Sequence, residues 1–213
     1  MNYKLKRLGL AAMAALACCA ALASAAQANF TASGGAGVGL SGTSSADQFN
    51  LFGSALKCTE NTFTGTTTAA TSNELTITPT YKNCKYGTLP ATVDFTGCDY
   101  KLTATSPQVH IQCPAGKEID IRVFASAAAH TAGTPLCHFT IDAQLVGGIV
   151  YTNSAGRIIL SGTFAGMHST EHRTSAVCPN GPSTTVTTTT ASYAIQAGGI
   201  TIVCAVGVIS RDP

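Results

Sequence analysis

Tryptophan is absent from this 213-residue chain, aromatic residues make up 7%, and charged residues only 10%. With no tryptophan and no evident exposed aromatic row, the flat stacking platform of many carbohydrate binders is not written here. The shortage of charge removes a basic stripe that could follow a phosphate backbone, so no nucleic-acid partner is expected. Hydrophobic residues reach 45%, too many for a disordered chain. Beyond residue 28 no long stretch carries the three-to-four-residue apolar spacing of a helix. Neither a helical bundle nor a membrane-spanning helix is expected there.

The first 28 residues have a separate character. Lys4, Lys6 and Arg7 form a basic start, residues 8–22 an apolar run, and Ala26-Gln27-Ala28 a small-x-small site. This is the layout of a secretory leader cleaved after Ala28, too short and wrongly flanked for a membrane helix. Cys18-Cys19 lacks the leucine and small-residue spacing of a lipid-attachment site. Cleavage would remove three of the 12 basic residues, leaving 9 against 10 acidic and a net charge of −1. The expected location is extracellular.

The remaining residues, about 185, are enough for one sizeable core. Threonine is abundant, and as a β-branched residue it favours strands. Residues 29–46 are rich in Gly, Ser and Ala and read as a flexible arm, with Phe30 able to anchor an edge strand. The folded domain is expected from 47 to 213. Alternating strands are expected at 63–68, 75–81, 91–96, 119–123, 136–146, 149–152, 158–164, 184–195 and 200–209, with a hairpin over 98–113. Gly147-Gly148 and Gly198-Gly199 read as turns, Pro79 as a strand end or edge, and 165–182 as the longest irregular stretch. The expectation is an all-β, single-domain, disulfide-stapled antiparallel β-sandwich or barrel of about eleven short strands.

Seven cysteines follow the leader, and export makes disulfides the default. Neighbours along a meander suggest Cys58–Cys84, Cys98–Cys113 and Cys137–Cys178. The second pair has a register behind it. A turn near Thr105 and Ser106 sets Leu102 opposite Val109, Tyr100 opposite Ile111 and Cys98 opposite Cys113 on one face. Cys204 is left over as a free thiol, in the apolar stripe of Ile200, Ile202, Val206 and Val208.

Chemistry-bearing motifs are few. His168-Ser-Thr-Glu171-His172 matches the H-x-x-E-H string with which inverzincins bind zinc and activate water. That string works on a helix and needs a further ligand downstream, where Asp212 is the only acidic residue. A polar surface loop is the favoured reading, and no metal or other cofactor is assigned. His110 and His138 alternate with apolar neighbours and read as outward-facing strand residues. Gly39-Leu40-Ser41-Gly42-Thr43 fails the nucleophile-elbow pattern at its last place. The threonines of 184–190 could form an ice-binding ladder, although a soluble strand face explains them as well. No catalytic residue is assigned.

The strings TPTYKNC, ATVDFTGCDY and IQCPAGKEIDI, together with Cys137, IDAQ, YTN and a late Cys-Pro, resemble a family of secreted, six-cysteine, Thr-rich actinobacterial proteins with no known activity. The resemblance spans most of 47–195. It implies six paired cysteines and leaves Cys204 outside the pattern, but it transfers no functional residue. The expected role is a secreted structural or binding module of unknown ligand, with contact to a cell surface or polysaccharide left open. The alternative is an extracellular hydrolase whose site assembles only in three dimensions.

Overall fold

The computed structural model describes residues 28–44, 47–130, 133–173, 175, 176, 178, 187–204 and 208–212; at His130, Ala165, Arg173 and across 187–204, apart from Ile202, only the backbone is described. The expected leader (1–27) lies outside these residues. Among them are fifteen strands and one 3-10 turn at Ala127–His130. The strands are β1 (Phe30–Ala32), β2 (Gly39–Ser44), β3 (Asp47–Leu51), β4 (Ser54–Thr66), β5 (Thr71–Ser72), β6 (Glu74–Tyr86), β7 (Leu89–Asp94) and β8 (Asp99–Thr103). They continue with β9 (Gln108–Gln112), β10 (Ile119–Val123), β11 (Cys137–Ile141), β12 (Gln144–Ser154), β13 (Arg157–Arg173), β14 (Thr187–Cys204) and β15 (Ile209–Arg211). All pairings are antiparallel.

Four strands are long: β4 and β6 with 13 residues, β13 with 17 and β14 with 18. They tie two sandwich-like halves together. In one half the ladders lead from β3 through β4, β6, β7, β10, β11 and β13 to β14, which pairs β3 again. In the other they lead from β2 through β4, β6, β8, β9, β12 and β13 to β14, which pairs β2. A small sheet, β15-β1-β5, lies beside the second half.

The shared strands change phase where one half gives way to the other. Along β6, Leu75, Ile77, Pro79 and Tyr81 are buried; Lys82 and Asn83 are both exposed; then Cys84 and Tyr86 are buried. β4 makes the matching change, with Leu56 and Cys58 buried, Thr59 and Glu60 exposed, and Asn61 and Phe63 buried. An extra residue in a strand resets its two-residue alternation and bends it. Asn83 carries the cost with a φ of 52°, a conformation asparagine tolerates. Its amide donates to Glu60 Oε1 at 2.6 Å. Pro79 pairs with Phe63 on one side and sits in the 78–83 window, where β6 has left β8 and not yet met β7. The missing proline N–H is tolerable where one ladder is interrupted.

Several expectations need correction. Among the described residues the strands number fifteen rather than about eleven, and the longest are not short. Gly147-Gly148 is a register shift inside β12, and β13 continues through 165–173, past its shifts at Leu160/Gly162 and Phe164/Met167. Gly148, read as part of a turn, relieves a close approach instead: a Cβ there would lie 2.2 Å from Thr163 O, and one on Gly162, inside the next strand, 1.9 Å from Gly148 O. Residues 29–46, read as an arm, contain β1 and β2, with Phe30 and Leu40 buried. A few apolar residues at alternating positions suffice to pair and bury a Gly- and Ser-rich stretch.

The core is continuous through both halves. Aromatic rings link its parts: Tyr81 meets Phe49, Phe63 and Phe95, with Phe95 against Tyr100, while Phe139 lies against Phe52 and Tyr86. Each fully buried ring of this size contributes roughly 1.5–3 kcal/mol. Disulfides join Cys58 to Cys84, Cys98 to Cys113 and Cys137 to Cys178. The first two are cross-strand, with Cα separations of 4.0 and 4.1 Å. The β8–β9 ladder sets Tyr100 opposite Ile111 and Leu102 opposite Val109, as the hairpin alternation implies. No helix among the described residues is long and apolar enough to cross a membrane.

Candidate functional site

The H-x-x-E-H string lies in β13. Strand alternation sends Ser169 and Glu171 inward, both buried, and turns His168 and Thr170 away from the core. Glu171 is 0% exposed, on the opposite face from His168 and His172. At about 3.3 Å per residue, the two histidines are roughly 13 Å apart along the strand. One ion cannot take both imidazoles and the carboxylate. The surface loop expected here is strand: Gln144 holds it by accepting from His168 N at 2.7 Å and donating to His168 O at 2.8 Å. Glu171 lies near Tyr86, whose hydroxyl donates to Leu51 O at 2.9 Å. Burial pushes the Tyr86 pKa up to about 12.

The outer face of β7, β10, β11 and β13 gathers polar side chains. Its registers place Asp94 beside Asp120, and Arg122 beside His138, which pairs with His172. Arg122 grips Asp120 with two hydrogen bonds of 2.9 Å, and these raise the guanidinium pKa above its usual value. His138 Nε2 lies 3.3 Å from Asp120 Oδ2 without hydrogen-bond alignment. The His138 and His172 rings stack with centroids 5.0 Å apart. Asp120 is thereby committed to Arg122, and no set of three metal-ligating side chains is found among the described residues.

Other sequence candidates do not converge. Ser41 is exposed in the middle of β2, so no nucleophile elbow forms. His110 is half-buried in β9, opposite Lys101 and 3.4 Å from the Gln112 amide. Of the threonine run, 184–186 lie outside the described residues, and 187–190 are described by backbone alone, opposite 168–171. Cys204, read as a free thiol, is likewise placed only by its backbone, opposite Leu40; its side chain lies outside what is described.

A site that no motif announces lies at the far end of the other half. The β8–β9 turn (Thr105, Ser106, Pro107), β12 (Ile149, Val150, Tyr151) and Arg211 of β15 line an open depression of about 230 Å³. The Tyr151 hydroxyl donates to Thr103 O at 3.3 Å, and Phe30 meets its ring edge-on at 5.5 Å. Arg211 lies over the same ring at 5.2 Å and donates from Nε to Ala104 O at 2.6 Å. Burial raises the Tyr151 pKa, with Arg211 opposing. A second depression, walled by Phe30, Ala32, Leu75 and Ile209, has room for about 10 Å³ only, about one water.

Comparison with family models, curated proteins and solved structures gives no match to this chain.

Proposed function

We propose that the chain is exported, loses its leader after Ala28, and serves outside the cell as a disulfide-stapled structural or binding module rather than as a catalyst. The observation carrying this reading is that the candidate acid, base and nucleophile groups of the sequence do not converge on one site among the described residues. Glu171 faces inward while His168 and His172 face outward on the same strand, Asp120 is held by Arg122, and Ser41 is an exposed residue in the middle of β2. General acid–base or nucleophilic catalysis needs such groups within hydrogen-bond reach of one another and of a substrate. The three disulfides support the export reading, since such bonds persist in oxidising compartments. Kinship with secreted actinobacterial proteins belongs to the same proposal. Protein purified from culture medium tests it. Intact mass is expected to place Asn29 first, and the protein is expected to bind cell-surface or polysaccharide fractions while leaving ester, glycoside and peptide substrates intact. Turnover of any of these that titrates with the protein would overturn it.

A further inference from the structure

We infer that the depression between the β8–β9 turn, β12 and β15 is a binding site for a sugar acid, with Arg211 receiving the carboxylate. This rests on the binding-module reading and names its ligand class.

The arginine is prepared in advance. Asn153 clamps its backbone from both sides, accepting from Arg211 N at 2.8 Å and donating to Arg211 O at 2.5 Å. Its Nε is spent on Ala104 O and its guanidinium carbon lies 5.2 Å over Tyr151, which is itself anchored to Thr103 O. The terminal nitrogens remain, a planar fork suited to two parallel bonds with a carboxylate. No carboxylate among the described residues forms an ion pair with this guanidinium; Asp212, next in sequence, accepts from Thr31. An oriented arginine costs less side-chain entropy on binding than a free one.

The rest of the lining narrows the ligand. Pro107 and Val150, the latter 59% exposed, give the apolar surface, while the Ile149 side chain turns into the core. Thr105 and Ser106 lie in the lining, the Ser106 hydroxyl also accepting from Gln108 N at 3.2 Å. The C–H face of a pyranose ring suits the apolar surface, its hydroxyls suit Thr105 and Ser106, and a carboxylate at its edge suits the fork. A volume of about 230 Å³ is below the roughly 300–1,000 Å³ of drug-sized sites and accommodates a single sugar residue. A neutral sugar would leave the guanidinium unanswered, and a bare carboxylate would leave the rest of the lining unused.

Titration calorimetry of the full exported chain at low salt with glucuronate, glucose and acetate tests this. Glucuronate is expected to bind near millimolar, with glucose and acetate at least tenfold weaker. Arg211→Gln is expected to weaken glucuronate at least tenfold. Because Arg211 also braces Ala104, Val150→Asp supplies an independent variant: it alters an exposed side chain of the lining and adds a negative charge that repels a bound carboxylate, so it should weaken glucuronate at least tenfold while the melting temperature holds. Tighter binding of a short oligouronate would assign the site to a polymer, and equal binding to the free sugar acid; both support the inference. No glucuronate binding, acetate binding as tightly as glucuronate, or binding indifferent to both substitutions would overturn it. Each would do so even where the protein still adheres to polysaccharide, leaving the module reading in place.

Discussion

Phe30→Ala separates a folded amino-terminal segment from a loose arm. Phe30 is 3% exposed, pairs with Arg211 on one side and Ser72 on the other, and meets Tyr151 edge-on. Truncating a buried phenylalanine costs about 3–5 kcal/mol, counting the lost transfer energy and the cavity left behind. The small outer sheet can partly collapse into the space, so the lower end, about 3 kcal/mol, is expected. For a domain of this size each kcal/mol moves the midpoint by about 2–4 °C, giving a fall of roughly 6–12 °C. Phe30→Leu keeps most of the volume and is expected to cost under about 1.5 kcal/mol. Urea unfolding with disulfides intact measures both, followed by tyrosine emission, which no tryptophan obscures. A loss below about 0.5 kcal/mol for Phe30→Ala would mean that β1 adds nothing to the fold and that the arm reading was right.

Cys98→Ala opens a bridge of sequence separation 15 and is expected to cost about 3 kcal/mol in the chain-entropy account; non-reducing peptide mapping of the parent should return the three pairs, and a scrambled Cys98 peptide would refute the hairpin register. The pKa of Tyr86 is raised from 10.0 to about 12, so its contribution to stability is complete below pH 10 and is lost as pH climbs through about 12. Burial pushes Tyr100 and Tyr151 the same way, and absorbance titration should show these three ionising late, with alkaline unfolding, whereas normal ionisation near pH 10 in the folded chain would contradict their burial. Gly162→Ala brings a Cβ within 1.9 Å of Gly148 O at a φ of +147° and should cost about 3 kcal/mol or more, while Gly37→Ala meets no atom within 4 Å and should cost only the left-handed strain, about 1 kcal/mol; equal melting points for the two would refute the close crossing of β12 and β13.

The fold class is legible because threonine and alternation act locally. The pattern Leu75, Ile77, Pro79, Tyr81 marks one face of a strand without reference to any partner. Strand length is not legible in the same way. A glycine that ends a strand and one that lets a partner's backbone approach look alike in sequence, and Gly148 and Gly162 are of the second kind because each faces the other's strand. Residues 29–46 misled for the opposite reason. Their Gly and Ser content suits a linker, while Phe30 and Leu40 lie in strands flanked on both sides, β15 and β5 around β1, β4 and β14 around β2.

The candidate site was hidden by sequence distance rather than by unusual residues. Arg211 reaches Ala104 across 107 positions and Tyr151 reaches Thr103 across 48, so no window of ordinary length joins the three segments that form the cluster. The motif that sequence does display, His168 to His172, fails for a local reason: a spacing of four gathers side chains on a helix and spreads them on a strand. The two cases share one cause. In an antiparallel fold, functional side chains meet across ladders and at turn ends, so their spacing along the chain is set by strand length and register. The arginine of β15 becomes a fork in the depression because Asn153, on the strand beneath, fixes its backbone, and because the β8–β9 turn offers Ala104 O to its Nε. If that bracing is what matters, Asn153→Ala should weaken glucuronate binding without touching any atom of the ligand, and Arg211→Lys, which keeps the charge but not the fork, should weaken it nearly as much as Arg211→Gln.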